Sequence, residues 1–363
     1  MITNKGIQLA RIKTIDTTRG MLMLYIVFVI HGFFWLHLLP QSISALLLFE
    51  MPAIFIVSGY SYYLYEQSKN GQAMRQSDIK AYSLFLAARC TRILLPYMVY
   101  AIFCILYVYA MSFIGDGVTV SLLHLTSAWL NPVKAGQGFS TGMLNWHLWF
   151  IPVFLIVTAA MPIVTKFRPL KSPHLLALVL GVALLEVFLS EVHLPARNIE
   201  NLIKQSAFYL IFSLFGYYLA HSKEYFRRVN FLTIAFVSLA LLVGVVIAGN
   251  DIHMLDMQVN KFPPNELFFL FSCLWISLFL FIAFNKPRVV AWFEKFGDAP
   301  WLKPFITSGY SIYLWQGAGY TIATLAGKQL GIPILAVWLL ALVISVALGL
   351  LASPAERVKI CFK

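Results

Sequence analysis

A single histidine, His31, stands far along the apolar stretch IDTTRGMLMLYIVFVIHGFFWL (residues 15–36). At 1.5 Å per residue it lies about 18 Å along a helix from Arg19. The following apolar stretch, LLLFEMPAIFIVSGYSYYLYEQ, carries Glu50 six residues after Ser44. On neighbouring antiparallel helices Glu50 and His31 fall at similar depth. Ionisable groups buried in lipid cost several kcal/mol unless they pair or face water, and such groups usually mark function. A carboxylate beside an imidazole fixes its tautomer and stabilises the imidazolium, which makes the pair a general base. His31 is therefore expected as a catalytic base with Glu50 as its orienting partner. The structural alternative is a hydrogen bond that locks two helices together.

Two further groups have types and spacings that chemistry could use. In NWHLWFIPVF (145–154), His147 stands between Trp146 and Trp149. The tryptophans alone read as an interfacial anchor, whereas His147 with Trp149 is expected to meet a substrate arriving from outside. In SDIKAYSLFLAARCTRILLPYMVY (77–100), Ser77 can cap a surface helix bearing Ile79, Tyr82, Phe85 and Leu86, which ends in Arg89 and Arg92. With Arg19 they form a candidate site for the phosphates of an anionic donor, because guanidinium binds phosphate bidentately. Arginines at that edge also serve topology alone.

The elements that must position these residues follow from composition. Of 363 residues 60% are hydrophobic and 12% charged, and the apolar residues come in long runs. Such a chain is an all-α polytopic transmembrane bundle, since a spanning strand would instead alternate apolar and polar residues. Ten spans are expected, at 21–39, 44–65, 93–114, 146–164, 174–191, 206–222, 231–249, 266–284, 305–326 and 332–352. The fifth carries Glu186. The first run lacks a small-residue cleavage site and is expected to remain as the first helix. With both termini cytoplasmic, 22 of the 27 Lys and Arg fall on inner segments, leaving Lys134, Arg197, Lys204, Lys261 and Lys328 outside. Topology thus accounts for the net charge of +12, and no nucleic-acid partner is needed. One membrane-embedded domain is expected over 1–363, with 1–20 and 353–363 as cytoplasmic segments and 115–145 as an external loop. Cys90, Cys104, Cys273 and Cys361 show no metal-ligand spacing, so neither zinc nor a disulfide is expected.

Taken in order, IDTTRG with its later histidine, MPAIFIVSGYSYYL, RCTRILLPY, HLWFIPVFLI and SGYSIYLWQG resemble the acyltransferase 3 family of bacterial membrane O-acyltransferases. The likeness covers spans one to four and nine. It implies a multi-pass protein of the bacterial cytoplasmic (inner) membrane, with no tightly bound cofactor. The implied reaction moves an acyl group, most often acetyl from acetyl-CoA, to a hydroxyl of a cell-surface or exported polysaccharide or a lipid-linked sugar. By that resemblance His31 is the catalytic histidine, Arg19 its preceding basic residue, and Arg89 and Arg92 the arginines that serve the donor. Eleven residues separate Arg19 from His31, one more than the family's pattern, and Gln316 stands where many members carry histidine. A transporter or flippase is the alternative from another class, for which ten spans, Glu50 and Glu186 and basic inner loops would serve as well. A non-catalytic scaffold would leave His31 and Glu50 unexplained.

Overall fold

The computed structural model describes residues 12–68, 79–114, 120–166 and 197–358. Helix makes up 80% of the structure, and no strand is present among the described residues. We label the longer helices α1 (Lys13–Trp35), α2 (Glu50–Glu66), α3 (Ile79–Ile114), α4 (Phe150–Val164), α5 (Arg197–His221), α6 (Phe231–Gly249), α7 (Glu266–Asn285), α8 (Pro287–Phe296), α9 (Lys303–Leu330) and α10 (Ile334–Ala352).

Six helical segments among the described residues are long and apolar enough to cross a membrane: Lys13–Trp35, Gln41–Glu66, Ile79–Ile114, Phe231–Gly249, Glu266–Asn285 and Ile334–Arg357. Helix α4 is apolar but has 15 residues. Nine of the ten expected spans overlap a helix, and 174–191, with Glu186, lies outside the described residues. Helix α9 has the length to span, yet Ser308, Ser311, Gln316 and Thr321 along it are buried. Ser308, Ser311 and Thr321 find partners inside the bundle, and Oε1 of Gln316 meets His31, contacts that a lipid-facing helix could not offer them. It packs against α1 on one side and α10 on another.

Close helix contacts set the frame. Where α2 crosses α5, a Cβ on Gly59 would fall on the Ser213 carbonyl and one on Gly216 on that of Ile56. Without a hydrophobic drive between helices in lipid, such backbone approach supplies the packing. The Ser213 hydroxyl donates to the Phe55 carbonyl across the same crossing at 3.2 Å.

The expected surface helix and the expected loop take other forms here. The surface helix expected after Ser77 is the opening of the 36-residue α3, and Phe85 faces the core; Ser77 itself is outside the described residues. The stretch expected as an external loop contains the helix Leu122–Trp129 and is folded inward from there: Trp129 is fully buried, its indole donates to the Phe139 carbonyl, and Tyr97 donates to the Trp129 carbonyl. Residues 13–20 extend α1, and the turn Ser353–Arg357 folds back on α9 at its kink, where Arg357 donates to Ser308 and Glu356 accepts from Ser311.

Candidate functional site

Helix α1 does not run straight to His31. Residues Tyr25–Ile30 form a π-turn that ends at the histidine. A π-turn holds one residue more than an α-turn and leaves local carbonyls in need of donors. Tyr320 of α9 donates to the Val27 carbonyl (2.8 Å) and Trp338 of α10 to that of Phe28 (2.8 Å). The turn also resolves the spacing. Twelve straight α-helical steps from Arg19 would place His31 about 120° away around the helix; with one residue absorbed the offset is about 20°. Arg19 and His31 thus share one face of α1 despite the extra residue.

The imidazole is held on two sides. It stacks on Trp35, with centroids 4.2 Å apart and planes at 16°. Its Nδ1 lies 2.6 Å from Oε1 of Gln316 on α9. An amide oxygen only accepts, so Nδ1 carries the proton and Nε2 keeps its lone pair for a base's work. His147 comes within 6.3 Å of His31, centroid to centroid. It sits in the turn before α4 and is 1% exposed, inside the bundle. Its Nε2–H donates to the Leu314 carbonyl (3.0 Å), and its Nδ1 has no partner. Tyr313 donates to the carbonyl of His147 at 2.6 Å.

Glu50 is not the partner of His31. Its Oε1 receives the ammonium of Lys261 at 2.6 Å, with side chains 2% and 6% exposed. Lys261 lies between α6 and α7 and covers the rings of Trp149 (5.7 Å) and Phe262 (5.6 Å). A buried carboxylate gains far more from an ammonium than from a neutral imidazole, so the depth match between Glu50 and His31 did not decide the pairing. The expected acceptor pair is divided as well: His147 joins the His31 cluster and Trp149 the Glu50–Lys261 pair.

Arg19, Arg89 and Arg92 come together on one open cavity. Apolar side chains, among them Leu22, Ile54, Val57, Phe150 and Met161, line most of the rest. Arg89 lies over the rings of Tyr65 (5.7 Å) and Phe85 (5.5 Å). Neither Arg89 nor Arg92 has a carboxylate in ion-pair reach among the described residues, whereas Arg19 holds Asp16 at 3.1 Å. Glu356 also lines the cavity, and its carboxylate accepts from the backbone and hydroxyl of Ser311. Cationic groups on an apolar chamber suit a ligand with an anionic head and an uncharged arm. Phe150 on its wall is 5.7 Å from Tyr313, which in turn is 6.4 Å from His31. These ring contacts lead from the cavity wall to the imidazole, which does not itself line the cavity.

Two residues of this site escaped the sequence reading. Gln316 was marked only as a departure from histidine, although a glutamine in an apolar run is itself a signal of a buried partner. Lys261 was counted as an outer basic residue. Among the described residues no cluster of His, Cys, Asp and Glu is placed to hold a metal ion. A family model described as an acyltransferase domain matches residues 12–353. Neither curated proteins nor solved structures give a match.

Proposed function

Because the chain belongs to the acyltransferase 3 family of membrane acyltransferases, we propose that it moves an acyl group, acetyl by preference, from acyl-CoA to a hydroxyl of a cell-surface or exported polysaccharide. A bacterial cytoplasmic membrane is the setting, with the arginines on the cytoplasmic side and both termini there. The observation that carries the proposal is the alignment on α1 of the arginine-lined cavity with the oriented His31. The donor's phosphates bind Arg89 and Arg92 with Arg19 beside them. Its thioester arm enters the apolar cavity and passes the rings of Phe150 and Tyr313 to reach His31 beyond the cavity wall, and the span of about 18 Å from Arg19 to His31 calls for an extended arm such as pantetheine.

At the far end Nε2 of His31 takes the proton from the acceptor hydroxyl as its oxygen attacks the thioester carbonyl. The tetrahedral intermediate then collapses, the C–S bond breaks, and the imidazolium returns the proton to the thiolate. No covalent acyl-enzyme is required. The free lone pair on Nδ1 of His147 accepts from a hydroxyl of the sugar. A transporter has no need of a tautomer-fixed imidazole, and the family match favours transfer.

The test is mass analysis of surface glycan from cells with and without the gene. The expected difference is one acetyl per modified residue. Identical acylation, with the protein shown to be inserted, would overturn the proposal.

A further inference from the structure

The proposed transfer passes through an oxyanion on the thioester carbonyl, and a buried site must offer that oxygen a hydrogen-bond donor. Three tyrosine hydroxyls around His31, His147 and Trp35 are committed elsewhere: Tyr313 donates to the His147 carbonyl (2.6 Å), Tyr100 to that of Leu144 (2.7 Å) and Tyr320 to that of Val27 (2.8 Å). Trp35 stacks on His31 at 16° between planes, so its N–H lies in a sheet parallel to the imidazole and cannot point across it. Gln316 differs. It is fully buried, its Oε1 is engaged by His31, and its Nε2 has no partner. Buried donors are almost always paired, and an exception at a candidate active site calls for a ligand. The adjacent residue is Gly317, where a Cβ would meet Cε1 of His147 at 2.8 Å, so both histidines converge on this turn of α9.

We infer that Gln316 is a catalytic residue with two tasks: its Oε1 fixes the tautomer of His31, and its Nε2–H donates to the oxyanion formed on the thioester carbonyl. The inference rests on the acyl-transfer reading. During attack the hydroxyl oxygen bonds to the carbonyl carbon, the carbonyl π-electrons move onto oxygen, and the hydroxyl proton passes to Nε2 of His31. Gln316 stabilises that charge without exchanging a proton. On collapse the carbonyl re-forms, the thiolate leaves, and the imidazolium protonates it.

Gln316→Glu separates the two tasks. It keeps side-chain length and an oxygen for Nδ1–H of His31, but puts an oxygen in place of the donor. The assay is thiol release from acetyl-CoA by purified full-length protein, with polysaccharide from the producing cell as acceptor. The expected result is a fall in kcat of about 10²–10³-fold with little change in KM for the donor. If orientation of His31 were the sole task, the new carboxylate would stabilise the imidazolium, and an unchanged or higher kcat would overturn the inference. Binding of a thioether analogue of acetyl-CoA checks that the variant is folded. Should it fail that check, Gln316→His, which retains one acceptor and one donor, replaces it. Retention of at least roughly a tenth of kcat is then expected, and a loss as deep as that of Gln316→Met overturns the inference. Absence of transfer by the unaltered protein in the same assay would instead overturn the acyl-transfer reading, and this role with it.

Discussion

Replacing Lys261 by Met strands the Glu50 carboxylate inside the bundle. The pair is 2.6 Å apart with side chains 2% and 6% exposed, so water can do little to solvate the survivor. Removing one member of such a buried pair costs about 3–5 kcal/mol. Met keeps an apolar stem over Trp149 and Phe262, and only the cation–π part of those contacts, about 0.5–2 kcal/mol, is lost. Glu50→Gln should be similarly harmful, because it leaves an ammonium without a counter-charge. The double variant removes both charges and should be milder than the sum of the singles, with a coupling of about 2–3 kcal/mol. Unfolding in detergent, followed by tryptophan fluorescence, reads all four proteins. Additivity within about 0.5 kcal/mol would refute the coupling. A Glu50→Gln variant of normal stability but with turnover lost about 10²-fold or more would return the carboxylate to His31 and refute the corrected pairing.

Other outcomes follow from the same geometry. Arg89→Ala with Arg92→Ala should raise the donor KM at least about tenfold, since charge-assisted hydrogen bonds contribute about 1.5–3 kcal/mol each; initial rates against acyl-CoA concentration measure it, and an unchanged KM would reassign both arginines to topology. Tyr320→Phe with Trp338→Phe leaves the Val27 and Phe28 carbonyls of the π-turn without side-chain donors, at about 1–3 kcal/mol each. A lower unfolding midpoint together with a reduced kcat is expected, and loss of neither would show that the π-turn does not need them. Gly216→Val should force α5 off α2, where Ile56's carbonyl occupies the place of a side chain, and poor recovery of folded protein in detergent measures that effect.

The long apolar runs of this chain revealed its helices because hydropathy is written locally, residue by residue. Helix α9 was legible as a helix, but its buried place against α1 and α10 was not, since hydropathy reports what a helix can face and not which neighbours it has. The arginines of the cavity could be singled out because Arg89 and Arg92 lie three apart beside a span and Arg19 opens another. Their convergence depends on how α1 and α3 meet. The pairings Glu50–Lys261 and His31–Gln316 bridge 211 and 285 residues, and no local pattern encodes such contacts. Depth alone suggested Glu50 for His31, and charge neutralisation decided otherwise. The π-turn was hidden for a different reason: it shows as one residue too many between Arg19 and His31, which reads as a flaw until the carbonyl donors on α9 and α10 are seen.

Replacement of His31 itself tests the proposed chemistry most directly. His31→Ala should insert and bind a thioether analogue of acetyl-CoA as tightly as the unaltered protein, because the donor's phosphates are assigned to the arginine cavity and not to the imidazole. Acyl transfer to polysaccharide by the purified variant should fall by about 10²–10⁴-fold, the usual worth of a positioned general base. Near-normal transfer by a folded, donor-binding His31→Ala protein would contradict that role and leave His31 as a structural hydrogen-bonding group.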